Sequence, residues 1–209
     1  MRTPSWPAVL AGLVLTGCSV AVAPSGGGAA DPRTSAAAVE SAAPAVVAQH
    51  AASQVTPQRP RHVTLPSGRV MPVDVVGTGS DGALEIPVDV RRAGWWDGGS
   101  RLGDPFGSVV LAAHVDSFTQ GLGPAVELLS ARVGERVRLT TAHLSQDYRI
   151  TSVRLVPRFD LRRRREVFSA LGARRLALIT CGGSYDRARG GYQDNVVVLA
   201  RPLGPLSRH

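Results

Sequence analysis

The sequence predicts an all-β domain whose strands close, or nearly close, into an antiparallel barrel. Three observations carry that expectation. From about residue 59 onward, short apolar runs of strand length recur between Gly, Pro and Asp residues. The 209 residues include 23 glycines and 15 prolines, a content that demands many turns and disfavours long helices. Hydrophobic residues make up 44% but aromatics only 5%, so a sizeable core is available and must be mainly aliphatic.

Taken in order, strands are expected near 61–65, 69–76, 83–87, 107–114, 135–141, 147–156, 175–181 and 195–201. Arg136-Val137-Arg138-Leu139 alternates as a half-buried strand does. Val196-Val197-Val198-Leu199-Ala200 is continuously apolar and reads as buried on both faces. Two short helices are expected, one over about 124–132 after Gly123-Pro124, the other over about 164–171 and ending near Gly172. Seven or eight short strands with so few helices suit a barrel. No internal repeat is visible.

The segment ahead of this domain has a different texture. Arg2 gives a small positive region, and Ala8-Val9-Leu10-Ala11-Gly12-Leu13-Val14-Leu15 is apolar but too short to span a bilayer, which needs about 20 such residues. This is the layout of a signal peptide over 1–17. Leu15-Thr16-Gly17-Cys18 follows directly and resembles a bacterial lipobox, which implies lipidation of Cys18. Residues 18–58, rich in Ala, Ser, Gly and Pro, read as a flexible tether with a reach of roughly 35 Å. The expectation is an extracytoplasmic domain over 59–205, anchored to the outer face of a bacterial cell membrane.

The formal net charge is +8, and all 24 basic residues are arginine. No nucleic-acid motif accompanies the charge, so coding bias explains the arginines better than nucleic-acid binding does. The run Arg162-Arg163-Arg164-Arg165 reads as a solvated face. No spacing of His, Cys, Asp or Glu suggests a metal site, and no cofactor motif is present.

The cysteine count is more pointed. There are two cysteines, Cys18 and Cys181. A lipidated Cys18 leaves Cys181 as a lone thiol outside the cell, where it is an oxidation liability and therefore a candidate for chemistry. Cys181 ends the apolar run Leu176-Ala177-Leu178-Ile179-Thr180 and is followed by Gly182-Gly183. A matching run, Val109-Val110-Leu111-Ala112-Ala113, delivers His114, followed by Val115-Asp116-Ser117. Each reactive group thus sits at the rim of a rigid strand. An imidazole within reach of a thiol can take its proton and later return one to a leaving amine. Glycines after the nucleophile leave backbone N–H groups open to an oxyanion.

The stretch from about 63 to 201 resembles the sortases, most closely the actinobacterial class F group. The resemblance rests on Ile86-Pro87, Gly94-Trp95-Trp96, His114-Val115-Asp116-Ser117, Leu178-Ile179-Thr180-Cys181-Gly182-Gly183 and Gly191-Tyr192-Gln193-Asp194-Asn195-Val196-Val197-Val198, in that order and spacing. It implies an eight-stranded sortase-type β-barrel and a cysteine transpeptidase or peptidase of the hydrolase class. The implied substrate is a C-terminal sorting signal similar to Leu-Pro-x-Thr-Gly on secreted proteins, and the implied acceptor is an amine of the peptidoglycan precursor. Cys181 would form a thioester, His114 would protonate the departing amine, and the chain would act as a tethered monomer.

The resemblance also exposes a gap. Sortases place an arginine on the last strand to support substrate and oxyanion. Here the corresponding position is Gln193, with Asn195 close by and Arg187 and Arg189 in the preceding loop. Ala113 also stands before His114 where the family commonly has glycine. The altered third position keeps a second reading open, a catalytically weak lipoprotein that binds sorting signals or wall material. Papain-like wall peptidases place Cys before His, and L,D-transpeptidases carry a different segment around their Cys. A triad of Ser117, His114 and Asp116 on one extended strand cannot converge.

Overall fold

The computed structural model describes residues 55–209. The expected signal peptide, Cys18 and most of the tether lie outside the described residues.

Eight strands close into a barrel. In chain order the strands are β1 (His62–Thr64), β2 (Val70–Val76), β3 (Ala93–Trp96), β4 (Ser108–Ala112), the short pair β5 (Asp116–Ser117) and β6 (Gly121–Leu122), β7 (Arg136–Thr140), β8 (Leu144–Pro157), β9 (Arg175–Asp186) and β10 (Gly191–Arg208). The barrel runs β1-β2-β3-β4-β9-β10-β8-β7 and returns to β1, while β5 and β6 form a separate hairpin. The all-β barrel read from the sequence is therefore present. It is not purely antiparallel: β2 pairs β3 in parallel, and so does β4 with β9.

The third barrel strand falls later than expected. The stretch near 83–87 is not a strand, and only Leu84 makes an isolated bridge, to Thr78. Pro87 has no N–H to give a ladder, and Val88 beyond it is 83% exposed. Ala93–Trp96 takes the place, because Gly94 lets β3 lie close to β2: a Cβ there would fall 2.8 Å from a Val76 methyl. Leu84 and Ile86 are still used, packed against an apolar cluster on the barrel exterior.

Strands β8, β9 and β10 run well past their expected ends. The β8–β10 ladder extends from Asp194↔Pro157 to Arg208↔Leu144, and Gly204-Pro205 is accommodated by a register shift between Leu203 and Ser207. An apparent breaker at a bulge does not end a strand.

The expected helices are short. Pro124–Ser130 is a 3-10 helix, and Arg158–Arg163 is another. The one α-helix among the described residues, α1, covers only Arg165–Phe168 and stops because Ser169 is extended. Among the described residues no helix is long and apolar enough to cross a membrane.

Period-2 alternation divides the apolar residues into two clusters. Val63, Met71, Trp95, Leu111, Leu139, Ile150, Leu176, Leu178 and Val198 fill the barrel. Val110, Ala112, Val156, Ala177, Ile179 and Val197 point outward, where Val167 of α1, Trp96 and Phe168 cover them. Trp96 and Phe168 meet edge to face at 5.6 Å. The exterior of β4, β9, β10 and β8 is thus an apolar bed, and the candidate site opens at its end.

Candidate active site

The parallel β4–β9 pair sets the geometry. Its last register partners are Ala112 and Ile179, both in the exterior cluster. The pairing persists one step further: Ala113 N–H donates to the Ile179 carbonyl at 3.0 Å, and the Thr180 hydroxyl donates back to the Ala113 carbonyl at 2.9 Å. Ala113 and Thr180 are both buried. His114 and Cys181 follow, each the next residue along its own segment beyond these bonds. Cys181, within β9 and two residues beyond the outward-facing Ile179, leaves the sheet on its exterior face, and His114 follows the end of β4. Both are half-buried. The Thr180 hydroxyl thus ties β9 to the residue that precedes His114.

Cys181 is a free cysteine. Its thiol is pushed up from the ordinary range, first by burial and next by the negative charge of Asp116, while the positive charge of Arg158 opposes both. Asp116 begins β5, two residues after His114, and accepts a hydrogen bond from the Tyr192 hydroxyl at 2.8 Å. That bond is the main reason the Tyr192 phenol is raised. Tyr192 in turn meets Tyr185 edge to face, with ring centroids 5.1 Å apart. The start of β10 is thereby tied to the hairpin that follows His114.

The glycines after Cys181 have a packing cause as well. A Cβ on Gly182 would fall 2.8 Å from a Val196 methyl. Gly183 has φ +74°, and a Cβ there would lie 2.1 Å from an Asp194 carboxylate oxygen. Side chains at these two positions would push β10 away from the nucleophile strand.

The expected third group resolves as follows. Asn195 is the cross-strand partner of Cys181, which brings the two Cβ atoms within about 4.5–5.5 Å. Gln193 sits at the register shift between Tyr192 and Asp194, and its amide donates to the Gly191 carbonyl at 2.6 Å. Arg189 is exposed and pairs with Asp186 at 2.6 Å. Arg187 is exposed in the 3-10 turn Arg187–Arg189. Of the four residues, Asn195 alone is the direct register neighbour of Cys181.

Two features escaped the sequence reading. Arg158 follows Pro157 at the end of β8, and its guanidinium donates to the carbonyls of Arg189 and Gly190. The Asp116–Tyr192 bond spans 76 residues of chain. Neither has a local signal, since each joins residues far apart in the chain that only the folded arrangement of strands brings together.

Chemically, this end of the barrel offers a thiol, a carboxylate whose charge acts on it, a neutral amide at the neighbouring register position, and an imidazole one residue past the last β4–β9 bond. Among the described residues no group of three or more His, Cys, Asp or Glu side chains is placed to hold a metal ion.

A family model described as a sortase domain matches residues 63–203. Solved structures share the fold at low identity. Sortase E1 from Streptomyces coelicolor, crystallised with a tripeptide in its active site, is 16% identical with a TM-score of 0.53 and covers 72% of this chain and 91% of its own. The SrtA sortase from Actinomyces oris is 20% identical with a TM-score of 0.53, over 75% and 86% of the two chains. Sortase C from Streptococcus pneumoniae is 16% identical, again with a TM-score of 0.53, over 74% and 73%. No curated protein matches the chain. The barrel, with β4 and β9 paired in parallel at its centre, and the domain match over most of the chain lead to one conclusion: this chain belongs to the sortase family of cysteine transpeptidases.

Proposed function

We propose that this chain is an extracytoplasmic sortase, most like class F, that cleaves a Leu-Pro-x-Thr-Gly-like sorting signal and joins the carboxyl side to an amine of the cell-wall precursor. The observation that supports this reading is that β4 and β9 run side by side in parallel and lead into the segments that carry His114 and Cys181.

In the first half, His114 takes the thiol proton and the Cys181 sulfur adds to the Thr carbonyl carbon. The carbonyl π electrons move to oxygen. When this oxyanion collapses, the C–N bond to Gly breaks, and the leaving amine takes a proton from the imidazolium of His114. A thioester remains. In the second half an incoming amine adds to the thioester, His114 removes a proton from it, and the Cys181 sulfur departs and is reprotonated. Asn195 donates an amide hydrogen bond at the site, and Gly182-Gly183 leave backbone N–H groups for the oxyanion.

The thiol raised by burial and by Asp116 fits a sulfur that is mostly protonated at neutral pH and ionises through His114. The lipid anchor at Cys18 belongs to the same reading: a tether of about 40 residues lets the domain work close to the membrane. The test is a fluorogenic Leu-Pro-x-Thr-Gly panel with a glycine amine present. Cleavage between Thr and Gly, with the amine joined to Thr, is expected. A folded protein that cleaves none of the panel contradicts the proposal.

A further inference from the structure

Four arginines lie in one row across four neighbouring strands of the barrel. Arg136 of β7 is the register partner of Arg149 of β8, and Arg149 is that of Arg201 of β10. The β10–β9 ladder reaches Ala200↔Leu176, and one step further stand Arg201 and Arg175. Their chain neighbours Val137, Ile150, Ala200 and Leu176 fill the barrel, so all four arginine side chains leave its outer face. Arg136, Arg149 and Arg201 are exposed, and Arg175 is half-buried. Arg165 of α1 joins the row, lining one cleft with Arg175 and Arg201.

Like charges directly opposite one another on a sheet are destabilising. Among the described residues, nevertheless, no carboxylate pairs with any of these five arginines. The nearby carboxylates are engaged elsewhere. Asp147, in the next row, pairs with Arg138 at 2.6 Å and feels Arg136 only through its charge. Glu166, on the cleft wall, faces Arg164 at 4.0 Å. Arg175 donates to the carbonyls of Glu166, Ser169, Leu171 and Ala173, which pins the chain after α1 to β9. Burial and then the charge of Arg201 lower its pKa, as befits two cations side by side with nothing between them. Coding bias accounts for arginine in place of lysine, but not for this alignment in register.

We propose that this arginine row docks the barrel on the phosphate headgroups of an anionic lipid surface. The proposal rests on the extracytoplasmic, membrane-anchored reading and not on the peptide chemistry. The chain enters the barrel near the row. Val55, the first described residue, lines a cleft with Leu144, Arg208 and His209, and Leu144 to Arg149 is about 17 Å of strand. A lipid anchor ahead of residue 55 and a basic row on the barrel reinforce one another, because one acyl chain alone binds only marginally. Guanidinium forks match phosphate oxygens. Cys181 lies about 20 Å along β9 from Arg175, on a strand outside the three that carry the exposed arginines, so docking leaves the thiol open.

The test uses the full chain with Cys18→Ser throughout, so that no acyl chain masks the effect. Sedimentation with phosphatidylcholine vesicles containing phosphatidylglycerol reads the binding. The row variant Arg136→Gln/Arg149→Gln/Arg201→Gln is compared with a charge-matched variant, Arg91→Gln/Arg162→Gln/Arg163→Gln, each checked for folding by circular dichroism. The parent is expected to bind the anionic vesicles, to leave them as salt rises, and to bind phosphatidylcholine alone much more weakly. The row variant should bind about 10²-fold more weakly than the parent, and the matched variant less than about tenfold more weakly. Should the row variant not fold, Arg149→Gln takes its place against Arg162→Gln, with about a fivefold loss expected for the former. Equal loss in the row and matched variants overturns the proposal, by reducing the row to net charge. A parent that binds no anionic vesicle at low salt overturns it too. Row-dependent binding of sodium polyphosphate without vesicle binding overturns the membrane assignment in favour of a soluble polyanion. Peptide cleavage without vesicles should be unchanged in the row variant. A parent that cleaves no peptide sinks the transpeptidase reading, while the sedimentation result still judges the row.

Discussion

The Tyr192 hydroxyl donates to the Asp116 carboxylate at 2.8 Å, which fastens the start of β10 to the hairpin that carries the chain away from His114. Tyr192→Phe removes one hydrogen bond to a charged acceptor in a half-exposed setting. A stability loss of about 1 kcal/mol is expected, measured by denaturant unfolding. Because the fastened hairpin begins two residues from His114, kcat should fall more than KM rises.

Asp116 also acts on the nucleophile through its charge. With the Cys181 thiol raised, alkylation of wild-type Cys181 should have its midpoint above the ordinary thiol range, near 8.5. Asp116→Asn removes the charge but not the burial, so the midpoint should fall without reaching the ordinary value. The sign for stability follows. The folded protein holds this proton to higher pH than the unfolded chain does, so the contribution is complete below the unfolded thiol pKa. It is lost as pH rises through the folded one. A midpoint that rises in Asp116→Asn contradicts the reading.

Thr180 lies between the reactive pair, on the barrel side, and its hydroxyl spans β9 to the Ala113 carbonyl. Thr180→Val keeps the shape and strands that carbonyl in a buried place, at a cost of about 1–3 kcal/mol. Thr180→Ser keeps the bond and should retain most activity. The Val variant should lose activity although it touches no substrate, because the carbonyl it releases immediately precedes His114.

A control for fold energetics lies across the barrel. Arg138 and Asp147 face each other in the β7–β8 register and pair at 2.6 Å. The guanidinium holds the Asp147 carboxyl below its usual range. The pair is partly exposed, so Asp147→Asn should cost no more than about 1 kcal/mol at neutral pH. The folded pKa is depressed, so the difference between wild type and variant should shrink as pH falls through it. Denaturant midpoints at several pH values read this directly, and activity should not change.

The reactive pair was legible because each residue ends an apolar run of strand length, and a run's end is visible locally. That the two strands leading to them are neighbours was not legible in the same way, since no local pattern states that β4 and β9 pair in parallel. The antiparallel expectation failed on that pair for the same reason. The stretch near 83–87 looked like a strand because Leu84 and Ile86 alternate, and they do pack inward, but onto the barrel's exterior. Ala93–Trp96 was not among the expected strands, and it is the missing side chain of Gly94 that lets β3 approach β2. The arginine of the site was sought on β10, where the family resemblance points. At that position the chain carries Gln193, and Asn195 is the residue across from Cys181.

His114→Ala should lower kcat/KM by about 10²–10⁴-fold or more, since one group serves as acid and as base in successive halves. Added imidazole should restore part of the rate, whereas a purely structural His114 would show no rescue.

The most direct measurement is the intact mass of the protein after incubation with a Leu-Pro-x-Thr-Gly peptide and no amine. A thioester adduct ending at Thr, present in wild type, released by hydroxylamine and absent in Cys181→Ala, is the predicted result. Thr–Gly cleavage that persists in Cys181→Ala would contradict the central claim.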